Sequence, residues 1–494
     1  MTRSSGILLH ISSLSSSYGI GTVGEAAYKF ADFLCAAKQS YWQMLPVGET
    51  SVGDSPYQSF STNAGNPYFI DLDMLASDGL LSRGDFEGID WGKDDTLVDY
   101  GKLYESRKKV LYKAYLKGYS RDKEEVERFR AENSEWIEDY ALFMALKEKF
   151  GMRSWLEWED EAIRMREDAA MKKYRDELAK NIEYYIYVQF LFFKQWKSFK
   201  EYANGKGIKL IGDLPIYVSP DSADLWKDYS LFLVNEERRP SCVAGVPPDY
   251  FNSDGQLWGN PIYDWAAMEK DGFGWWIRRL KAASKMFDVV RIDHFRGLES
   301  YWEIPVGETT AKNGKWIKGP GKKLIDVIHR ELPTLSIIAE DLGYLTDGVR
   351  ELVRYSGYPG MKVLQFAFDS REPANYTPHT YTENSVCYTG THDNNTALGW
   401  LSDADAADAE LARAYCGLNK AEGESIGLIR SGMFTPSALF VAPLQDWLKK
   451  GASARMNTPG TLGGNWQWRM KKGEADEKLA EQIAYFTTIF GRAN

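Results

Sequence analysis

Short aliphatic and β-branched runs recur along the chain, several closing on polar residues. They are GILLH (6–10), YWQMLP (41–46), IKLIGDLP (208–215), VVRIDH (289–294), LSIIAED (335–341), MKVLQFAF (361–368), SVCYTGTHD (385–393) and ALFVAPLQD (438–446). Between many of them apolar residues return every three or four positions, as in Gly24–Ala37, Gly321–Glu331 and Thr346–Tyr355, the spacing of one helix face. Strands alternating with helices predict parallel βαβ units, and eight such strands close an α/β fold of the (β/α)8 TIM-barrel type. A ninth run, ESYWEIP (299–305), stands across a Gly-containing loop from KWIKGP (315–320). That pair predicts a hairpin beyond the fourth strand.

Two stretches are longer than barrel loops require. Residues 75–205 are rich in Glu, Lys, Arg and aromatic residues at helical spacing, as in RKKVLYKAYLKGY and IEDYALFMALKEKFG, which predicts an inserted helical subdomain. Residues 218–285 are rich in Pro, Gly, Asp and Trp with little regular period. An insertion after the third strand is placed to overhang the carboxyl end of the barrel, as a lid or substrate loop. The expectation is one catalytic barrel over 1–494 carrying both insertions.

Composition narrows the partners. A net charge of −10 argues against nucleic acid, but leaves a neutral ligand open. The 17 Trp, 29 Tyr and 23 Phe serve mostly as core, yet flat rings also hold the apolar faces of sugars. The opening MTRSSGILLHISSLSSSYG has no signal-peptide layout, and no later run reaches membrane-spanning length. A soluble, cytoplasmic protein is therefore expected, with no membrane partner. Cys35, Cys242, Cys387 and Cys416 lie far apart and read as reduced core residues. No metal-ligand cluster appears, so no metal and no cofactor are expected. Gly19-Ile20-Gly21-Thr22-Val23-Gly24 fits GxGxxG, but a run of serines separates it from its strand and no acid ends the second strand. It reads as a turn into a helix rather than a dinucleotide site.

Barrel chemistry sits where strands end. Those positions hold Asp213, Asp293, Glu340 and Asp393. A buried carboxylate is costly unless paired or used, so four together point to a site, although each could instead cap a helix or pair with an arginine. Cleaving a glycosidic bond takes one ionised carboxylate and one protonated carboxyl. Asp293 lies between Arg291 and His294, whose positive potential would keep it ionised, whereas Asp341 beside Glu340 would raise the pKa of Glu340. Alternation along a strand points Arg291 and Asp293 into the barrel mouth and Ile292 outward.

The segments VRIDHFRG (290–297), IIAEDLG (337–343), GTHDNNT (390–396) and GDLPIYV (212–218) resemble the active-site segments of the amylomaltase family of 4-α-glucanotransferases, relatives of the α-amylases. SGILLHISSLSSSYGIGTVG (5–24), GDSPYQSFSTNAGNPYFIDLD (53–73), GVPPDYFNSDGQLWGNPIYDW (245–265), RMNTPGT (455–461) and NWQWR (465–469) extend the resemblance over nearly the whole chain. It implies that Asp293 is the nucleophile, Glu340 the acid/base and Asp393 the transition-state stabiliser. It implies contacts to the nucleophile or the sugar for Arg291, His294 and His392, support from Asp213, and glycan contacts for Ser55 and Tyr57. Tyr250, Phe251, Gln256 and Trp258 match the lid loop, while Asp369 and Asn465 match outer binding positions.

The expected activity is disproportionation of maltooligosaccharides, an α-1,4-glucan serving as donor and another as acceptor. A hydrolase with the same acids, or a glucan-binding protein on a dead barrel, are the alternatives. The second would require loss of a catalytic acid, and none is lost.

Overall fold

The computed structural model describes residues 2–248, 253–343, 345–369 and 376–493. Its strands are β1 (Ser4–Leu8), β2 (Tyr41–Gln43), β3 (Lys209–Leu214), β4 (Cys242–Val246), β5 (Gln256–Pro261), β6 (Val289–Ile292), β7 (Ser300–Pro305), β8 (Lys315–Lys318), β9 (Ser336–Ala339), β10 (Gly360–Val363), β11 (Ser385–Tyr388) and β12 (Leu439–Pro443). Eight of them close a parallel barrel in the order β1-β12-β11-β10-β9-β6-β3-β2. These are the eight strands expected from the apolar runs, so the fold is the (β/α)8 TIM barrel.

Inward-facing residues fill the barrel: Leu8, Tyr41, Ile211, Val289, Ile338, Met361, Val363, Val386, Tyr388, Leu439 and Val441 form one cluster. The polar end of Tyr388 is satisfied by Gln43 Oε1 at 2.9 Å. Helices Glu25–Ala36, Gly274–Met286, Lys322–Glu331, Asp347–Ser356 and Glu424–Phe434 cover the outside.

The helix Ala179–Gly205, 27 residues long, is buried all round over Tyr184–Phe192 because its middle has two partners. Phe199 stacks edge-on to Trp42 of β2 at 5.5 Å, while Phe190 and Phe193 meet Phe129 and Trp136 of the preceding helical segment. A buried cation ties that segment to the chain after β3. Lys147, at the end of helix Ile137–Lys149, reaches Asp221 at 2.5 Å and the carbonyls of Met152 and Arg153 at 2.9 and 2.7 Å.

The hairpin beyond the fourth barrel strand is present as β7–β8, but it belongs to a larger antiparallel sheet of order β5-β4-β7-β8. The stretch read as having little period therefore contains two strands: β4 pairs with β7, Val243 opposite Ile304 and Ala244 opposite Glu303, and β5 pairs with β4, Gly245 opposite Leu257. Cys242, Cys387 and Cys416 are buried, but Cys35 is exposed, on the outer side of its helix. The glycines of the GxGxxG match serve close packing. A Cβ at Gly21 would lie 1.7 Å from the Ile11 carbonyl oxygen, and one at Gly24 1.9 Å from an Asp71 carboxylate oxygen.

The barrel seam joins the two ends of the chain: Ser4 pairs with Leu439 and Leu8 with Pro443. Arg492 crosses that seam, donating to the carbonyls of Ser4 and Met433 at 2.9 Å each. Among the described residues no helix is long and apolar enough to cross a membrane.

Candidate active site

Strand register builds the centre of the site. Asp213 on β3 sits opposite Arg291 on β6, and Ile292 on β6 sits opposite Ala339 on β9. The next residues, Asp293 and Glu340, therefore emerge side by side at the carboxyl end of the barrel. Arg291 Nη1 donates to both oxygens of Asp213 at 2.6 and 2.7 Å and to Asp293 at 2.9 Å, while its Nε faces the Met361 sulfur at 3.3 Å. Arg291 and Asp213 are sealed, whereas the Asp293 side chain keeps 27 % exposure. One carboxylate orients the guanidinium; the other stays open to a ligand.

Glu340 is held by backbone. Its Oε2 accepts from the His294 N–H and its Oε1 from the Leu342 N–H, both at 2.7 Å. The first contact depends on a left-handed turn, since His294 has φ 49°, an unfavourable conformation for a non-glycine residue that the fold imposes at the site.

Burial raises the pKa of both acids. For Asp293 the Arg291 guanidinium works against that rise, while the charges of Asp213 and Asp393 add to it. For Glu340 burial comes first, Arg291 opposes it, and the Asp293 charge adds to the rise. The guanidinium touches Asp293 and not Glu340, which favours the charge on Asp293 and the proton on Glu340.

This corrects two electrostatic expectations. His294 is uncharged, because burial drives its pKa down to about 3, so it adds no positive potential at Asp293. Asp341 does not act on Glu340 either: its carboxylate turns away to accept from the Met361 N–H at 2.7 Å.

Asp393 comes from the loop after β11. Burial opposes its charge, but His392 at 3.3 Å and the Asn457 amide at 2.7 Å hold its pKa down at about 2. Burial likewise works against a charged His392, and Asp393 outweighs it, so the imidazole pKa is raised. Tyr57 joins this group to the first: its hydroxyl donates to Asp213 at 2.8 Å and meets His392 Nε2 at 2.8 Å, with the two rings stacked at 5.2 Å.

The remaining expected positions divide. Trp258 on β5 sets its ring edge-on to His294, the residue whose N–H holds Glu340, at 4.8 Å, and donates to Gln256 at 3.1 Å. Ser55 is half-buried and accepts from the Tyr57 N–H at 3.3 Å, shaping the turn that aims Tyr57. Asp369 is half-buried after β10. Asn465 spends its side chain inside its own loop, on Thr458 and Thr461. Tyr250 and Phe251 lie outside the described residues.

Sequence reasoning missed Asn457 and Arg455. Asn457 binds the Asp393 carboxylate, and its N–H donates to the His392 carbonyl at 3.1 Å. Arg455 donates to the Asp393 carbonyl at 2.7 Å. The only available signal was a polar pair inside RMNTPGT.

A family model described as 4-alpha-glucanotransferase matches residues 9–475. The 4-alpha-glucanotransferase of Streptococcus pneumoniae (strain TIGR4) is 49% identical over 496 residues, spanning 100% of this chain and 98% of the relative. That of Thermus thermophilus is 45% identical over 485 residues, 96% of each chain. Among solved structures, the amylomaltase from Streptococcus agalactiae in complex with acarbose agrees with a TM-score of 0.97 at 44% identity over 100% of both chains. The amylomaltase from Corynebacterium glutamicum shares the fold, with a TM-score of 0.77 at 21% identity over 99% of this chain and 75% of that one. Three neighbouring acids at the barrel mouth, a matching family model and full-length relatives agree: the chain belongs to the 4-alpha-glucanotransferase family, and it is a 4-α-glucanotransferase acting on α-1,4-glucans.

Proposed function

We propose that the enzyme moves a segment of an α-1,4-glucan to the 4-hydroxyl of another glucan or of glucose by retaining double displacement, and so disproportionates maltooligosaccharides. In the first half, an Asp293 oxygen attacks the anomeric carbon while Glu340 gives its proton to the departing glycosidic oxygen. In the second, the now anionic Glu340 takes the proton of the acceptor 4-hydroxyl, which attacks the same carbon and frees Asp293. The ionised Asp393 faces the positive charge that builds on the sugar in both steps.

The observation that carries this reading is Arg291, bonded to Asp293 at 2.9 Å and making no such bond to Glu340. It separates two neighbouring carboxyls into an anion and an acid. The half-buried rings of Tyr57 and Trp258 supply apolar faces for glucose units. Water outnumbers a millimolar acceptor by roughly 10⁴-fold, about 5–6 kcal/mol, so acceptor binding and shielding of the intermediate must supply that preference.

Incubating the purified protein with maltotriose alone tests the proposal. Glucose and a ladder of longer oligosaccharides are expected, and glucose plus maltose without longer chains would make the enzyme a hydrolase.

A further inference from the structure

One buried acid at a barrel-strand end has no part in the chemistry above. Asp446 follows β12, in the short helix Leu444–Trp447, and is 1 % exposed. Its Oδ2 accepts from the Thr389 hydroxyl at 2.6 Å, and its Oδ1 accepts from the Ala397 N–H at 2.7 Å. Thr389 is the first residue after β11, and Ala397 is the first residue of helix Ala397–Asp403. The two oxygens of one side chain thus hold both ends of the loop that presents His392 and Asp393. Inside the loop, Asn394 Oδ1 accepts from the N–H and hydroxyl of Thr391, both at 2.9 Å, and from the end of β10 Gln365 donates to the Asn395 carbonyl at 2.8 Å. The first pair braces the turn from within; Gln365 holds its middle, Asn457 and Arg455 hold Asp393 from one side, and Asp446 alone among these holds both of its ends.

No cation pairs with Asp446 among the described residues, and burial pushes its pKa up to about 6, against the pull of its two hydrogen bonds. A carboxyl kept at that cost without an ionic partner is one whose geometry is used.

We propose that Asp446 is a positioning residue for glucan transfer, a clamp that fixes the 389–397 loop and thereby the distance of Asp393 from the reacting sugar. It acts through Asp393 and touches neither donor nor acceptor. The inference rests on the transition-state role proposed for Asp393. A small displacement of a charge aimed at a transition state lowers turnover steeply while leaving ground-state binding nearly alone.

A double-mutant cycle tests it. Asp446→Asn keeps the shape but offers one neutral acceptor and one donor, so the Thr389 hydroxyl would have to turn round to accept and neither bond keeps its charge assistance. With maltotriose, kcat should fall roughly ten- to a hundredfold with KM within about twofold. Thr389→Val, which removes one arm only, should show a smaller loss, and Thr389→Ser should restore wild-type turnover. The cycle is closed with Asp393→Asn, using an α-glucosyl fluoride donor so that the slow variants remain measurable. If Asp446 works through Asp393, Asp446→Asn costs nothing further in that background.

A folded Asp446→Asn enzyme with kcat within twofold of wild type overturns the proposal. So does a loss of equal size with and without Asp393, which would mark a general structural role. Should Asp446→Asn not fold, the cycle between Thr389→Val and Asp393→Asn decides by the same two outcomes. Failure of the underlying reading looks different: Asp393→Asn alone would then keep normal turnover.

Discussion

Arg291 Nη1 lies 2.9 Å from Asp293, and the same nitrogen is fixed from behind by both oxygens of Asp213. The arrangement gives Asp293 a partner that cannot turn to follow it. A charge held rigid in a water-poor site needs no reorganisation as the reaction proceeds. Asp293 keeps its negative charge in spite of burial, yet retains an open oxygen to attack with.

Replacing Asp293 by Asn should therefore abolish transfer and spare the fold. The Asp213–Arg291 pair stays intact, so the thermal midpoint should remain within a few degrees while maltotriose disproportionation drops by at least about 10³-fold. Activity assays and thermal melts on the same preparation check both halves. Substantial residual turnover in a purified variant would move the nucleophile elsewhere.

The pH profile carries a second expectation. A carboxyl with a raised pKa keeps its proton to higher pH, so Glu340 serves as an acid below its pKa and activity is lost as pH rises through it. Asp293 must be ionised, so activity is gained as pH rises through its own pKa. Both shifts are upward, and both limbs of the bell in kcat/KM should lie above the ordinary carboxylate range. Glu340→Gln, assayed with an α-glucosyl fluoride whose leaving group needs no proton, should lose the alkaline limb of the first step.

Asn457 supplies one of two contacts that hold the Asp393 carboxylate low. Asn457→Ala removes a hydrogen bond to a charged group, about 1.5–3 kcal/mol. kcat should then fall roughly 10- to 100-fold. The measurement is single-turnover transfer beside the binding of a non-hydrolysable inhibitor, and a variant that loses affinity but keeps turnover would contradict this assignment.

Stability has its own test at Lys147, where the side chain is 1 % exposed against Asp221. Lys147→Met leaves a carboxylate and two carbonyls without their cation, a loss of about 3–5 kcal/mol. The exposed Lys149–Glu177 pair is the control, and Lys149→Met should cost under about 1 kcal/mol. Urea unfolding midpoints of the two variants separate the cases, and equal midpoints would refute the difference.

The barrel was legible because each of its strands is an apolar run, and a fully buried parallel strand has no solvent face to disguise it. The acids were legible because such runs end on them. β4 and β5 were hidden by composition: CVAGV and QLWGNP carry glycines and a proline, and their stability comes from pairing with each other and, for β4, with residues near 303. Asn457 was hidden by distance, since its partner Asp393 lies far back along the chain and loop contacts leave no period. The charge of His294 was misread because neighbours in sequence report potential but not burial, and at that residue burial is the larger effect.

The seam between β1 and β12 has a consequence for biosynthesis. The first strand to leave the ribosome pairs on one side with among the last, so a growing chain carries an open sheet edge through nearly all of its translation. Asp293 and Glu340, on adjacent strands of the middle of the chain, can meet before that edge is covered. Asp393 obtains its Asn457 partner only after β12 has been made. A chain ending before residue 457 would therefore lack the Asn457 contact that holds the Asp393 carboxylate.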